Sequence, residues 1–89
     1  MLLQDKVAVV TGSGRGIGRR IAQRFAREGA AVIIAEIDSA TGQDSCRDLI
    51  ANGGRALFVH TDVAAQSSVQ AMVQRGVAEF GGIDILVNN

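Results

Sequence analysis

The 89-residue chain is 47% hydrophobic and 20% charged, with a formal net charge of zero. That balance excludes a disordered chain and gives no bulk charge for gripping nucleic acid. One cysteine, Cys46, and one histidine, His60, exclude an internal disulfide and a multi-cysteine or zinc cluster.

The elements are predicted from apolar periodicity. Val7–Thr11 is a first buried strand, and Gly16–Glu28 a helix with apolar residues at 17, 21, 22, 25 and 26, closed by Gly29. Ala31–Glu36 is a second strand. Its apolar run is continuous rather than alternating, the mark of a strand covered on both faces. A second helix, capped by Asp38 or Ser39, reaches about Ala51 with Cys46, Leu49 and Ile50 inward. Ala56–His60 is a third strand. Gln66–Phe80 is a third helix with apolar positions 69, 72, 73, 77 and 80, and Ile83–Val87 a fourth strand. The order β-α-β-α-β-α-β predicts parallel strands joined by right-handed crossovers. A doubly wound α/β sheet of this kind begins with strand order 3-2-1-4.

No run approaches the roughly 20 apolar residues that span a bilayer, and no basic, apolar leader opens the chain. A cytoplasmic protein without membrane association is expected. Five of the nine basic residues lie between Arg15 and Arg27. Arg20, Arg24 and Arg27 share one helical face, which is read as a solvated outer face rather than a nucleic-acid surface.

The densest signal is Thr11-Gly12-Ser13-Gly14-Arg15-Gly16-Ile17-Gly18 between the first strand and first helix. Glycines let the backbone turn tightly, and the helix N-terminus behind them presents unpaired N–H groups and a positive dipole end to an anion. A paired phosphate is the anion this arrangement suits. The spacing departs from G-x-G-x-x-G, because Ile17 stands where the third glycine would be.

The fit is better to T-G-x-x-x-G-[IL]-G, and the chain resembles the short-chain dehydrogenase/reductase family. Glu36 ends the second strand, Asp62-Val63 follows the third, and Ile83-Asp84-Ile85-Leu86-Val87-Asn88-Asn89 is similar to the family's strand ending in N-N-A-G. The resemblance implies a Rossmann-type sheet and an NAD(P)-dependent oxidoreductase passing hydride between a nicotinamide and an alcohol or carbonyl compound. By that resemblance Gly12 makes the turn, while Gly16 and Gly18 admit the pyrophosphate and bring helix to strand. Ser13, Arg15 and Ile17 supply backbone or side-chain donors. Asp62 and Val63 meet the adenine, and Asn88 and Asn89 close the site. Glu36 accepts the adenosine ribose hydroxyls and repels a 2′-phosphate, which favours NAD over NADP, whereas Arg15 pulls toward NADP.

Each residue also has a structural alternative. Glycines 12–18 could serve only a tight packing turn, Glu36 a strand-end charge, Asp62 a helix cap, and Asn88 and Asn89 the neighbouring backbone. His60 reads as a strand residue and Cys46 as core.

The resemblance also implies a catalytic Tyr, a Lys four residues on and a Ser, all beyond the N-N-A-G strand. The chain has no Tyr, its only Lys is Lys6, and none of its serines matches. No catalytic residue is assigned. The 89 residues are therefore expected to be the N-terminal part of a single dinucleotide-binding domain, inactive alone. The alternative is a non-enzymatic nucleotide-binding or assembly fragment. The parent is expected to be a homo-oligomer.

Overall fold

A computed structural model describes residues 1–89. Seven elements alternate: β1 (Val7–Thr11), α1 (Gly16–Arg27), β2 (Ala31–Glu36), α2 (Ser39–Ala51), β3 (Arg55–His60), α3 (Gln66–Phe80) and β4 (Ile85–Val87). The strands form one parallel sheet in the order β3-β2-β1-β4. The doubly wound, Rossmann-type fold expected from the sequence is the one found.

Every residue of β1 and β2 is buried. Within their continuous apolar runs, successive side chains still alternate between faces, and each face meets helices. Val7, Val9, Ala31 and Ile33 join Met72, Val69 and Phe80 of α3 in one core. Val10, Val32 and Ile34 join Ala22 and Phe25 of α1 and Cys46 and Leu49 of α2 in the other. The chain travels outward from β1 to β3 through α1 and α2, then returns through α3 to β4 on the far side of β1. Constant crossover handedness requires the returning helix to lie on the opposite face. The reversal opens a crevice at the carboxyl ends of β1 and β4, the usual ligand position in open α/β sheets.

The inward residues of α2 are Gly42, Ser45, Cys46 and Leu49. Gly42 is required there because a Cβ would collide with the ring of Phe58. Burial pushes the Cys46 thiol above its ordinary value, as suits a packed core residue and not a nucleophile. Asp38 is the helix cap, accepting the Thr41 N–H at 3.2 Å.

The sequence reading needs correction at several points. Ile50 is 54% exposed and not inward, because it lies one helical step past Leu49 and beyond the sheet. Val73 and Val77 of α3 are also exposed, since α3 buries Met72 and Gly76 and turns its next face outward. β3 begins at Arg55, α1 ends at Arg27 with Glu28 as its cap, and β4 begins only at Ile85. Ile83 packs instead against the α3 core, and Asp84 is a tie. The Val7 N–H donates to the Asp84 carboxylate at 2.8 Å, and the Asp84 N–H donates to the Val7 carbonyl at 2.8 Å.

Ile33 and Ile50 separate core burial from residue type. Ile33→Ala is expected to lower unfolding free energy by about 2–5 kcal/mol. Ile50→Ala is expected to stay within about 0.5 kcal/mol. Urea midpoints of the two variants check the contrast.

Candidate functional site

The glycine turn leaves β1 at Thr11. Gly12 keeps the sheet pattern for one more bond, its N–H donating to Ala35 at 2.9 Å. Gly12 and Gly16 both have positive φ, at +62° and +64°, which only glycine adopts without strain. Gly18 is required for a different reason. A Cβ there would strike the Gly12 carbonyl and stand 2.6 Å from Nδ2 of Asn89. The first turn of α1 therefore lies directly against the end of β1, and nothing stands within 4 Å on the open side of Gly16.

The start of α1 has no anion of its own. Arg15 is its cap residue but makes no side-chain cap bond, and no acidic residue lies in the first turn. The Arg19 N–H donates to the Arg15 carbonyl at 3.3 Å, so the amides of Gly16, Ile17 and Gly18 precede the helical ladder. Arg15 and Ile17 are exposed, with Ile17 projecting at the rim. The Ser13 hydroxyl faces the other way. It is fully buried and donates to the Val10 carbonyl at 2.6 Å. Only the backbone of Ser13 can serve a ligand.

Glu36 is no free strand-end charge. It is buried, and its carboxylate accepts three backbone N–H groups: Gly14 at 2.9 Å on Oε1, Ile37 at 3.0 Å and Asp38 at 3.2 Å on Oε2. A carboxylate offers about four lone-pair positions, so acceptor capacity remains.

Asp62 does not cap α3, whose cap residue is Ala65. It makes a local turn, accepting the Ala64 N–H at 3.0 Å on Oδ1, while its own N–H donates to Ser68 Oγ at 2.9 Å. Oδ2 takes part in neither bond. Val63 beside it is 63% exposed.

Asn88 is exposed. Asn89 is used by the fold: its N–H donates to Thr11 Oγ1 at 3.0 Å, and Nδ2 donates to the Gly12 carbonyl at 3.3 Å. Thr11 Oγ1 in turn donates to the Val87 carbonyl at 3.3 Å. Thr11 thus fastens the ends of β1 and β4, a role that its place in the motif does not reveal.

Gly12, Glu36, Ile37, Asp62, Val63 and Asn89 meet around a cavity of about 140 Å³, whereas Ser13, Arg15, Gly16, Ile17, Gly18 and Asn88 do not line it. Sequence reasoning missed Ile37. It is 58% exposed directly after Glu36, and an isoleucine left in solvent just past a buried strand is the signal that could have found it. Ile37 and Val63 are apolar surfaces beside two carboxylates, a chemistry that suits a nucleoside. A larger groove of about 820 Å³ lies at the opposite edge, among the C-terminal ends of α1 and α2. Arg27, Arg55, Asp5 and Asp48 line that groove, and neither the glycine turn nor Glu36 reaches it. The glycine turn, not the volume, locates the candidate site.

The helix start without its own anion, the open glycine turn and the paired carboxylates fit a dinucleotide. A parallel sheet with this turn at its switch point defines a nucleotide-binding Rossmann-type fold. The sequence model described as short chain dehydrogenase matches residues 6–89. The chain belongs to the short-chain dehydrogenase/reductase family, which implies a nicotinamide cofactor.

It is 51% identical over 88 residues to an uncharacterized oxidoreductase of Thermotoga maritima, covering 99% of this chain and 34% of that protein. It is 49% identical to the short chain dehydrogenase/reductase astE of Aspergillus oryzae, covering 98% and 34%. A hydroxysteroid dehydrogenase from Escherichia coli superposes with a TM-score of 0.95 at 33% identity, over 98% of this chain and 37% of that one. A short chain dehydrogenase from Mycobacterium avium gives 0.94 at 36% identity, over 100% and 35%. The chain spans about a third of the length of the relatives it matches.

Two glycines of the turn are expected to fail for different reasons. Gly16→Ala has room but the wrong backbone, and is expected to cost about 1–2 kcal/mol. Gly18→Ala meets backbone that cannot move alone, and is expected to cost about 1–3 kcal/mol and to loosen the Asn89 contact. Thermal melts give the costs, and the Asn89 side-chain amide resonances report the contact in Gly18→Ala alone.

Proposed function

We propose that this chain supplies the adenosine and diphosphate half of the cofactor site in an NAD-dependent oxidoreductase acting on an alcohol or carbonyl compound. The observation that carries the reading is the buried Glu36 carboxylate at the carboxyl edge, beside a helix N-terminus without an acid of its own.

The backbone amides of Gly16, Ile17 and Gly18 would hold the diphosphate, with Arg15 at the rim. Glu36 would accept a ribose hydroxyl on the one lone pair left, that of Oε1. Ile37 and Val63 would flank the adenine, with the Asp62 carboxylate accepting from its amino group. Gly12 and Asn89 would form the floor between β1 and β4, and Asn88 would lie at the exposed outer end. When bound, the nicotinamide supplies the hydride donor or acceptor.

The preference for NAD rests on charge. A 2′-phosphate would bring a second anion against Glu36, and two unit charges about 4 Å apart repel by roughly 1–4 kcal/mol between bulk water and a protein-surface dielectric. Arg15 is exposed, so its attraction for the same phosphate is screened by water.

The 89 residues contain no Tyr, and Lys6 precedes β1, so no proton donor for carbonyl reduction is assigned to them. On this reading, residues 1–89 are the N-terminal part of one dinucleotide-binding domain, whose substrate and proton-transfer groups lie in further polypeptide. The hydroxysteroid dehydrogenase likeness makes a secondary alcohol on a bulky apolar body a reasonable first substrate class to assay. Homo-oligomeric assembly is part of the same proposal.

Titration with NADH and NADPH by isothermal calorimetry tests the cofactor reading. NADH is expected to bind at least about tenfold more tightly, one factor of ten corresponding to roughly 1.4 kcal/mol. Glu36→Gln keeps an acceptor for Gly14 but removes the charge, and is expected to narrow that preference about tenfold. An unchanged NADH-to-NADPH ratio in Glu36→Gln would remove the basis for NAD.

A further inference from the structure

The peptide unit between Ser13 and Gly14 is held at both ends. Its carbonyl accepts the Ser45 hydroxyl at 2.9 Å. Its N–H donates to Oε1 of Glu36 at 2.9 Å. The two groups come from different elements, Ser45 from α2 and Glu36 from the end of β2. Ser13 and Ser45 are 0% and 1% exposed, so water cannot take over the Ser45 bond. The Ser13 hydroxyl cannot take it over either, being committed to Val10. One residue further on, the Gly14 carbonyl accepts from Arg19 Nη1 at 3.4 Å, and that guanidinium pairs with Asp44 at 3.0 Å and Asp48 at 3.7 Å on α2.

A peptide plane next to glycine rotates at little steric cost. Here rotation is opposed from both sides. A flipped plane would turn the Ser13 carbonyl toward the Glu36 carboxylate, two acceptors facing each other, and would lose the Ser45 bond. A Cβ at Gly14 would also lie 2.5 Å from Oγ1 of Thr41 and 2.7 Å from Oε1 of Glu36, so both neighbours require that glycine. α2 thus reaches the two residues that precede Arg15 directly through Ser45 and indirectly through Arg19, which Asp44 and Asp48 hold. Gly14 leads directly into Arg15 and the amides that open α1.

We infer that Ser45 is a positioning residue for the diphosphate turn: through the Ser13–Gly14 peptide it preorganises the amides of Arg15–Gly18, without itself touching the nucleotide. The inference rests on the dinucleotide reading above. It makes α2 part of the machinery that holds the diphosphate. Preorganised donors bind more tightly because their ordering is complete before the ligand arrives.

The test compares ADP, which carries the diphosphate, with adenosine, which does not, on the unaltered protein and Ser45→Ala, and follows hydrogen exchange of the Gly14 amide. Losing a donor to a buried carbonyl is expected to weaken ADP binding about 5- to 20-fold. Adenosine binding is expected to stay within about twofold, and Gly14 exchange to quicken about tenfold or more. ADP affinity at the unaltered level, or equal losses for ADP and adenosine, would overturn the assignment. If Ser45→Ala does not fold, Ser45→Cys keeps the volume with a weaker donor, and ADP binding is expected to fall about two- to fivefold. Full ADP affinity there overturns the assignment equally. Failure of the unaltered protein to bind ADP would overturn the dinucleotide reading and this inference with it. Tight ADP binding that ignores Ser45 would sink the inference alone.

Discussion

Burial of β1 and β2 on both faces is the constraint from which the site follows. A strand with no solvated side has no place to put a polar side chain until it ends. Its backbone groups must be satisfied laterally, and the parallel registers of β1 with β2 and β4 satisfy them. Polar chemistry is thereby driven to the strand ends. Thr11 and Glu36 are the last residues of the two most buried strands, and each carries the first polar side chain of its strand. Both end at the carboxyl edge, where the reversal between β1 and β4 leaves space.

What happens at that edge is a competition for backbone donors. The turn and the following loop present several amides within a short stretch, and the fold consumes some of them. Gly12 gives its N–H to Ala35 and Gly14 gives its own to Glu36, while Ile37 and Asp38 also donate to Glu36. The amides opening α1 remain. Glu36 therefore decides which donors are left for an anion as well as what charge the edge carries. The charge of this edge and the geometry of the turn are coupled through one carboxylate.

The layout of the site was legible because it depends on backbone chemistry. Gly12, Gly16 and Gly18 announce a turn and a close approach by lacking side chains. Glu36 announces a strand end by being charged after an apolar run. The order of elements follows from periodicity, and α3 matches its predicted bounds from Gln66 to Phe80. Direction was harder to read. Ser13 looks like a donor at the turn, but its hydroxyl points back to Val10, because a buried hydroxyl takes the nearest carbonyl. Ile50 is inward by residue type alone, but one step of 100° separates it from Leu49 and leaves it exposed. Thr11 and Ser45 act between elements far apart in sequence, and no local pattern reports such bonds. Ile83 and Asp84 read as strand because they lead without a break into the apolar run Ile85–Val87. In three dimensions one is a core plug and the other a tie to Val7.

Asn89 shows how far fold and site share atoms. Its Nδ2 holds the Gly12 carbonyl, its N–H holds Thr11, and its side chain occupies the space that a Cβ on Gly18 would need. The structural alternative for this residue and the functional one are thus compatible. By fixing the Gly12 carbonyl it sets one wall of the turn, while Ser45 and Glu36 set the next peptide along. The helix start is framed by β4 on one side and α2 on the other, two elements that do not adjoin in the sequence. A diphosphate-sized anion placed there would meet donors whose directions were settled by the packing of the sheet before any ligand arrived.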